Sequence, residues 1–173
     1  MDTSTDTVFL QFSAAKLKQM GSRIIHCVKL LNQEQLWGRG SEKENAIGNL
    51  VLHLCGNVRQ WIGSGVGGWS DQRVRDLEFS AREGYGPDDL AERLQRAMDE
   101  IIPVIENLRS ERLMEKMTLQ GYTVTVLEGI YHVVEHFCYH AGQIIFATKQ
   151  LSAEDVDFYG HLGAAGAHKE TTP

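Results

Sequence analysis

Four long stretches of this chain carry apolar residues at helical spacing, and almost nothing inside them breaks a helix. The first runs from about Thr7 to Leu31, with Phe9, Phe12, Leu17, Ile24, Val28 and Leu31 as its stripe and Asp6 or Thr7 as its cap. The second runs from about Lys43 to Ile62, with Ile47, Leu50, Val51, Leu54, Val58 and Trp61 in line. The third runs from about Pro87 to Leu108 and carries Leu90, Leu94, Ala97, Ile101, Val104 and Leu108. The fourth runs from about Val126 to Leu151, with Val126, Ile130, Val133, Phe137, Ala141 and Ile144 facing one way. Thr125 and Glu128 frame its start as a capping box. Pro87 suits a first helical turn, while Pro103 should kink the third helix or shift its start. Four such helices predict an all-α four-helix bundle.

The connections are uneven. The run Gly63-Ser64-Gly65-Val66-Gly67-Gly68 should end the second helix in a flexible loop. Residues 69–86 then form a long connection with alternating charge (Asp71, Arg73, Arg75, Asp76, Glu78) and one aromatic, Phe79. A connection of this length can cross the bundle and let two helices run parallel. The chain of 173 residues suits a single domain, 1–173, with 152–173 as a partly ordered C-terminal tail. That tail ends in Gly163-Ala164-Ala165-Gly166 and polar residues, although Phe158 and Tyr159 can dock on the bundle.

Charge and composition exclude some roles. A net charge of −6 lacks the basic face that phosphate binding needs, so nucleic acid is not the expected partner. The polar start Met1-Asp2-Thr3-Ser4-Thr5-Asp6-Thr7 has no basic region of a secretory signal. No apolar run approaches the ~18 residues that span a bilayer. A cytoplasmic protein without a membrane partner is expected. Cys27, Cys55 and Cys138 form no C-x-x-C pair and read as small buried hydrophobes in a reducing compartment. Cys138 also lies within a histidine-rich segment.

That segment carries the chemistry. His132, His136 and His140 are spaced by four, and each such step advances only about 40° around a helix. The row borders the apolar stripe, so its rings can reach a site between helices. Two His at i and i+4 can bite one metal ion. Spacing alone leaves two chelating pairs open, 132/136 and 136/140. His53, between Leu52 and Leu54 on the flank of the second stripe, is the natural third ligand. Three neutral imidazoles with an open position form a known catalytic metal arrangement. His132-Val133-Val134-Glu135-His136 also spells H-x-x-E-H, the inverted zinc-peptidase pattern. That reading leaves His53 and His140 without roles, and too little chain follows to supply its distant Glu. Glu135 points about 100° away from His136 and suits no shared pocket. Gln143 either orients a ligating His or makes a packing hydrogen bond. Arg59 and Tyr159 are candidate substrate contacts. His26 and His161 read as structural or solvent-facing, and His168 falls in the tail.

The segment His136-Phe137-Cys138-Tyr139-His140-Ala141-Gly142-Gln143 resembles the H-x-x-x-H-x-G-Q signature of the DinB/YfiT-like superfamily. Ala46 to Gly56, one His in an apolar helix, is similar to its second-helix motif. The resemblance covers about Thr7 to Leu151 and implies an up-down-down-up bundle with long crossovers. It implies His53, His136 and His140 as metal ligands and leaves His132 out of the set. It implies a divalent ion (nickel, zinc or iron) and, in some members, a low-molecular-weight thiol cofactor. A metal-dependent transferase, thiol-dependent in some members, or a hydrolase acting on a small molecule follows from it, with homodimers common. The alternative is a metal-binding stress or accessory protein without turnover.

Overall fold

Ser4 caps the first helix with its side-chain oxygen, which accepts a hydrogen bond from the Thr7 amide at 3.2 Å. The cap therefore lies before the expected Asp6 or Thr7, and the helix starts earlier than its apolar stripe. The computed structural model describes residues 4–160. The expected frayed end at Gly163 to Gly166, with His161 and His168, lies outside the described residues.

Helix α1 spans Thr5–Lys29 and a short α2 spans Gln33–Trp37. Helix α3 spans Ile47–Val58 and continues as a π-helical segment, Arg59–Val66. After α4 (Arg75–Ser80) and α5 (Pro87–Glu106) comes a 3₁₀ turn at Ser110–Met114. A hairpin of β1 (Lys116–Leu119) and β2 (Tyr122–Thr125) pairs antiparallel, Lys116 opposite Thr125, and leads into α6 (Val126–Leu151).

Helix α1 packs against α5 and α6, and α3 packs against the same two, so α1 and α3 occupy opposite corners. Lys18 pairs with Glu106 while Gly21 faces Met98, which makes α1 and α5 antiparallel. Arg59 pairs with Glu100 and Gly67 faces Val104, so α3 and α5 run parallel. His53 meets His140 and Trp61 meets His132, so α3 and α6 are antiparallel. This is the up-down-down-up bundle, and most of the expected stripe residues form its core. The second and fourth stripes are wholly buried.

Several details differ from expectation. In α1, Phe12 is exposed and Phe9 only half-buried; Leu10, Leu17, Ile24 and Val28 form the buried line. The glycine-rich run is not a flexible loop. The helix widens there instead, burying Trp61, Ile62 and Val66, and stops only at Gly68 with φ 73°. Helix α5 starts at Pro87 and runs through Pro103, whose carbonyl accepts the Asn107 amide at 3.0 Å. The long connection holds α4, and the hairpin has no counterpart among the expected helices. Cys27 and Cys55 are buried, but Cys138 is exposed because it turns off the Phe137–Ala141 core line. No helix among the described residues is long and apolar enough to cross a membrane.

The capping box at α6 is complete: Thr125 Oγ1 accepts from the Glu128 amide at 3.1 Å, and Glu128 Oε2 accepts from the Thr125 amide at 2.6 Å. Thr125→Ala should lower folding stability by about 1 kcal/mol in urea titrations, and Thr125→Ser should restore most of it.

Candidate metal centre

His53 is held on the face of α3 that meets α6, one turn beyond Asn49 and deep in an apolar helix, and it is buried. His136 and His140 stand one turn apart on α6, beside the core residues Phe137 and Ala141. The antiparallel seam brings the three rings together. His53 Nε2 lies 3.1 Å from His136 Nε2, and His140 Nε2 lies 3.1 Å from the same atom. All three nitrogens lie within 4.8 Å of one another. Imidazoles bound to one ion at about 2.0–2.1 Å place their nitrogens about 3 Å apart. The group could therefore hold a metal ion.

The opposite ring nitrogens support this. His53 Nδ1 lies 2.9 Å from Glu78 Oε2, a carboxylate that can accept its proton, and 3.0 Å from Arg73 Nη2, which is itself bonded to that oxygen. Glu78 is itself clamped by Arg73, which donates Nε to Oε1 at 2.7 Å and Nη2 to Oε2 at 2.8 Å. His140 Nδ1–H donates to Gln143 Oε1 at 2.7 Å. With Nδ1 protonated in both rings, each Nε2 presents a lone pair to the same point. Lone pairs aimed at one another are repulsive until a cation lies between them. The donor chemistry and the convergence both fit a divalent ion.

Burial shapes the electrostatics. It would raise the Glu78 carboxyl, but hydrogen bonds from Arg73 and His53 and their charges outweigh it and hold the group below the usual carboxylate range. Burial pushes His136 down to about 3, with the charges of His140, His53, His132 and Arg73 adding to it. Burial lowers His140 too, against the opposing Gln143 bond. Neutral imidazole, the form that binds metal, is thus favoured near pH 7.

Glu78 and Arg73 are the residues that sequence reasoning missed. Glu78 is buried although it sits in a charged connection, and nothing in its neighbourhood marks it. Gly56 makes its approach possible: a Cβ there would overlap Glu78 Oε1 and stand 3.0 Å from Arg73 Nε. Asn49 secures the same segment by donating Nδ2 to the Glu78 carbonyl at 2.8 Å and the Ala81 carbonyl at 2.9 Å. Phe79 lies against the His53 ring, 4.8 Å between centroids.

The remaining candidates fall elsewhere. His132 packs against Trp61, 4.6 Å between ring centroids, rather than joining the group, and Glu135 is exposed, as the peptidase pattern would not allow. Arg59 pairs with Glu100, and Tyr159 accepts from Arg23, away from the three rings. His26 is exposed, edge-on to a docked Phe158. A cavity of about 870 Å³ is walled by Arg73 and Glu78 with Leu52, Cys55, Trp69 and Leu77. None of the three histidines lines it, so it lies behind the Glu78 clamp and not over the Nε2 atoms.

Known proteins share this architecture. A family model described as "Protein of unknown function (DUF1572)" matches residues 4–160. The uncharacterized protein YkkA of Bacillus subtilis is 24% identical over 173 residues, covering 88% of this chain and 92% of that protein. A DinB-like protein of Bacillus subtilis, YjoA, superposes with a TM-score of 0.66 at 15% identity, over 85% of this chain and 96% of its own. A DinB-like protein of Bacillus cereus gives 0.68 at 14% identity, over 91% and 100%. A conserved protein of Enterococcus faecalis gives 0.67 at 11%, over 82% and 95%. These likenesses bear out the resemblance and the fold.

Two outcomes follow from the geometry. Gly56→Ala should displace the Glu78 carboxylate and, with an ion at the three rings, weaken its affinity about 10–100-fold, as Glu78→Gln should. Combining the two should cost little more than either alone, read by competition with a chromophoric chelator. The second concerns acid. The unfolded chain takes up imidazole protons as pH falls through about 6.5, while folded His136 stays neutral until about 3. The unfolded state then binds more protons, so the metal-free protein should lose stability as pH falls across that window. Urea midpoints between pH 7.5 and 5 should show this slope, and His136→Asn should flatten it.

Proposed function

Because the chain belongs to the DUF1572 family, a DinB-like family with no assigned activity, we propose a function from the site itself. It binds one divalent metal ion through the Nε2 atoms of His53, His136 and His140 and activates a nucleophile for transfer to a small molecule. The convergence of three Nε2 atoms, two of them with Nδ1 turned to an acceptor, carries this reading. Imidazole ligands suit zinc, nickel and iron alike.

Three neutral ligands leave such an ion its full charge, and when bound it lowers the pKa of a thiol or water beside it. The chain's own groups do the rest. Glu78 and Gln143 hold two rings in the ligating tautomer, and burial keeps His136 unprotonated. Phe79 packs against the His53 ring.

The one carboxylate in hydrogen-bond contact with the three rings among the described residues is Glu78, on the Nδ1 side. Water needs a general base more than a thiol does, because a thiol ionises far more readily. This favours thiol-dependent transfer, with a low-molecular-weight thiol as co-substrate, over hydrolysis. The same observation supports the second reading, a metal-binding stress or accessory protein without turnover. Three unpaired cysteines suit a cytoplasmic setting. The exposed row Tyr131, Tyr139 and Phe146 on the outside of α6 suits a homodimer contact.

Metal content after purification should fall sharply in His53→Ala and His140→Ala but little in His132→Ala. Full metal in His140→Ala would overturn the assignment. Metal-loaded protein should turn over an electrophilic substrate with a thiol. A loaded protein inert with every thiol tested would leave the accessory reading.

A further inference from the structure

Four buried side-chain nitrogen or oxygen atoms among the described residues have no hydrogen-bond partner: Arg39 Nε, Asn57 Oδ1, Trp61 Nε1 and His136 Nδ1. Three of these four belong to one stretch of the α3–α6 seam. His53, Asn57 and Trp61 follow one another at intervals of four, so they form a row along one face of α3 and its π-helical extension. Across the seam, His53 meets His136 and His140, and Trp61 meets His132. Asn57 therefore lies between those two contacts along the seam. Asn57 and Trp61 are each only 4% exposed.

Leaving such groups unpaired costs about 1–3 kcal/mol each, so each calls for a partner. Their hydrogen-bonding capacities are complementary. Trp61 Nε1–H is a donor only, and Asn57 Oδ1 is an acceptor. His136 must keep Nε2 free for a metal, which puts its proton on Nδ1 and makes that atom a donor. One water can accept from His136 Nδ1–H and from Trp61 Nε1–H and donate to Asn57 Oδ1. That makes three bonds, the usual number for a buried water.

We propose that Asn57 and Trp61 are positioning residues for His136, binding an ordered water that takes the His136 Nδ1 proton and fixes its ligating tautomer. The proposal rests on His136 being a metal ligand. It completes the set of Nδ1 partners: Glu78 for His53, Gln143 for His140, and Asn57 through water for His136. It also gives Trp61 a polar role besides its packing against His132.

The test uses the full chain loaded with zinc. ¹H–¹⁵N spectra should show the His136 Nδ1 proton hydrogen-bonded and slow to exchange with solvent. Asn57→Leu should speed that exchange and weaken zinc binding about 10–100-fold, while Asn57→Asp, which keeps the acceptor, should recover most of both. Trp61→Phe keeps an aromatic side chain and removes the donor, so it covers the case where Asn57→Leu does not fold, and it should lower affinity by a smaller factor. Zinc-loaded wild type whose Nδ1 proton exchanges freely, or folded Asn57→Leu and Trp61→Phe with wild-type affinity and exchange, would overturn the proposal alone. Wild type that binds no zinc would overturn the metal reading and the proposal with it.

Discussion

A buried carboxylate organises this protein. Glu78 reaches α3 from a short helix in the crossover and is met there by both the Arg73 guanidinium and the His53 ring. A charge taken out of water costs several kcal/mol unless it is paired and hydrogen-bonded. Here two bonds from Arg73 and one from His53 supply the pairing, and Gly56 supplies the room. The arrangement works only as a unit. Removing the Arg73 guanidinium leaves a buried charge, a loss of about 3–5 kcal/mol. The crossover from Trp69 to Tyr85 is consequently not a slack tether. It is anchored by polar contacts at Asn49 and His53, one turn apart along α3, and fits closely over Gly56. The same contacts fix the His53 ring, so fold and site share their principal fastening.

How much of this was legible in the sequence depends on the range of the interactions involved. Helix α6 has the expected bounds because its signals are local: Thr125 and Glu128 lie three residues apart and the apolar line runs unbroken to Ile144. The spacing of His136 and His140 is equally local, and Gln143 follows within one turn. Glu78 is the opposite case. Its partner His53 is 25 residues away on another element, and its neighbours Arg75, Asp76 and Leu77 are all exposed. One-dimensional pattern cannot distinguish such a carboxylate from a solvated one. Cys138 was misplaced for a simpler reason: an apolar residue beside the core line of a helix is on the wrong side of it by about 100°.

The glycine-rich run shows propensity yielding to packing. Glycines at 63, 65, 67 and 68 argue for a loop. The chain instead keeps helical hydrogen bonding with a wider turn, because Trp61, Ile62 and Val66 each gain a place in the core. The Trp69 ring also lies where a Cβ on Gly63 would be. Burying three large apolar side chains contributes about 1.5–3 kcal/mol apiece, against roughly 1 kcal/mol per helical glycine. The balance favours the helix, and the chain leaves it only where Gly68 takes a left-handed conformation.

This extension also settles which histidines converge. Spacing alone offered His132 and His136 as readily as His136 and His140. The choice is made by what stands opposite on α3. The antiparallel seam sets His53 against His136 and His140, whereas the next turns of α3 place the Trp61 indole against His132 at 4.6 Å. An indole is no ligand and fills the space a fourth imidazole would need. Burial lowers the His132 pKa, against the opposing Glu135 charge, so the ring is neutral and serves as packing. Had the helix ended at Val58, nothing would hold Trp61 in that position. The π-helical turns, which look like a concession to glycine, thus define the lower edge of the histidine group.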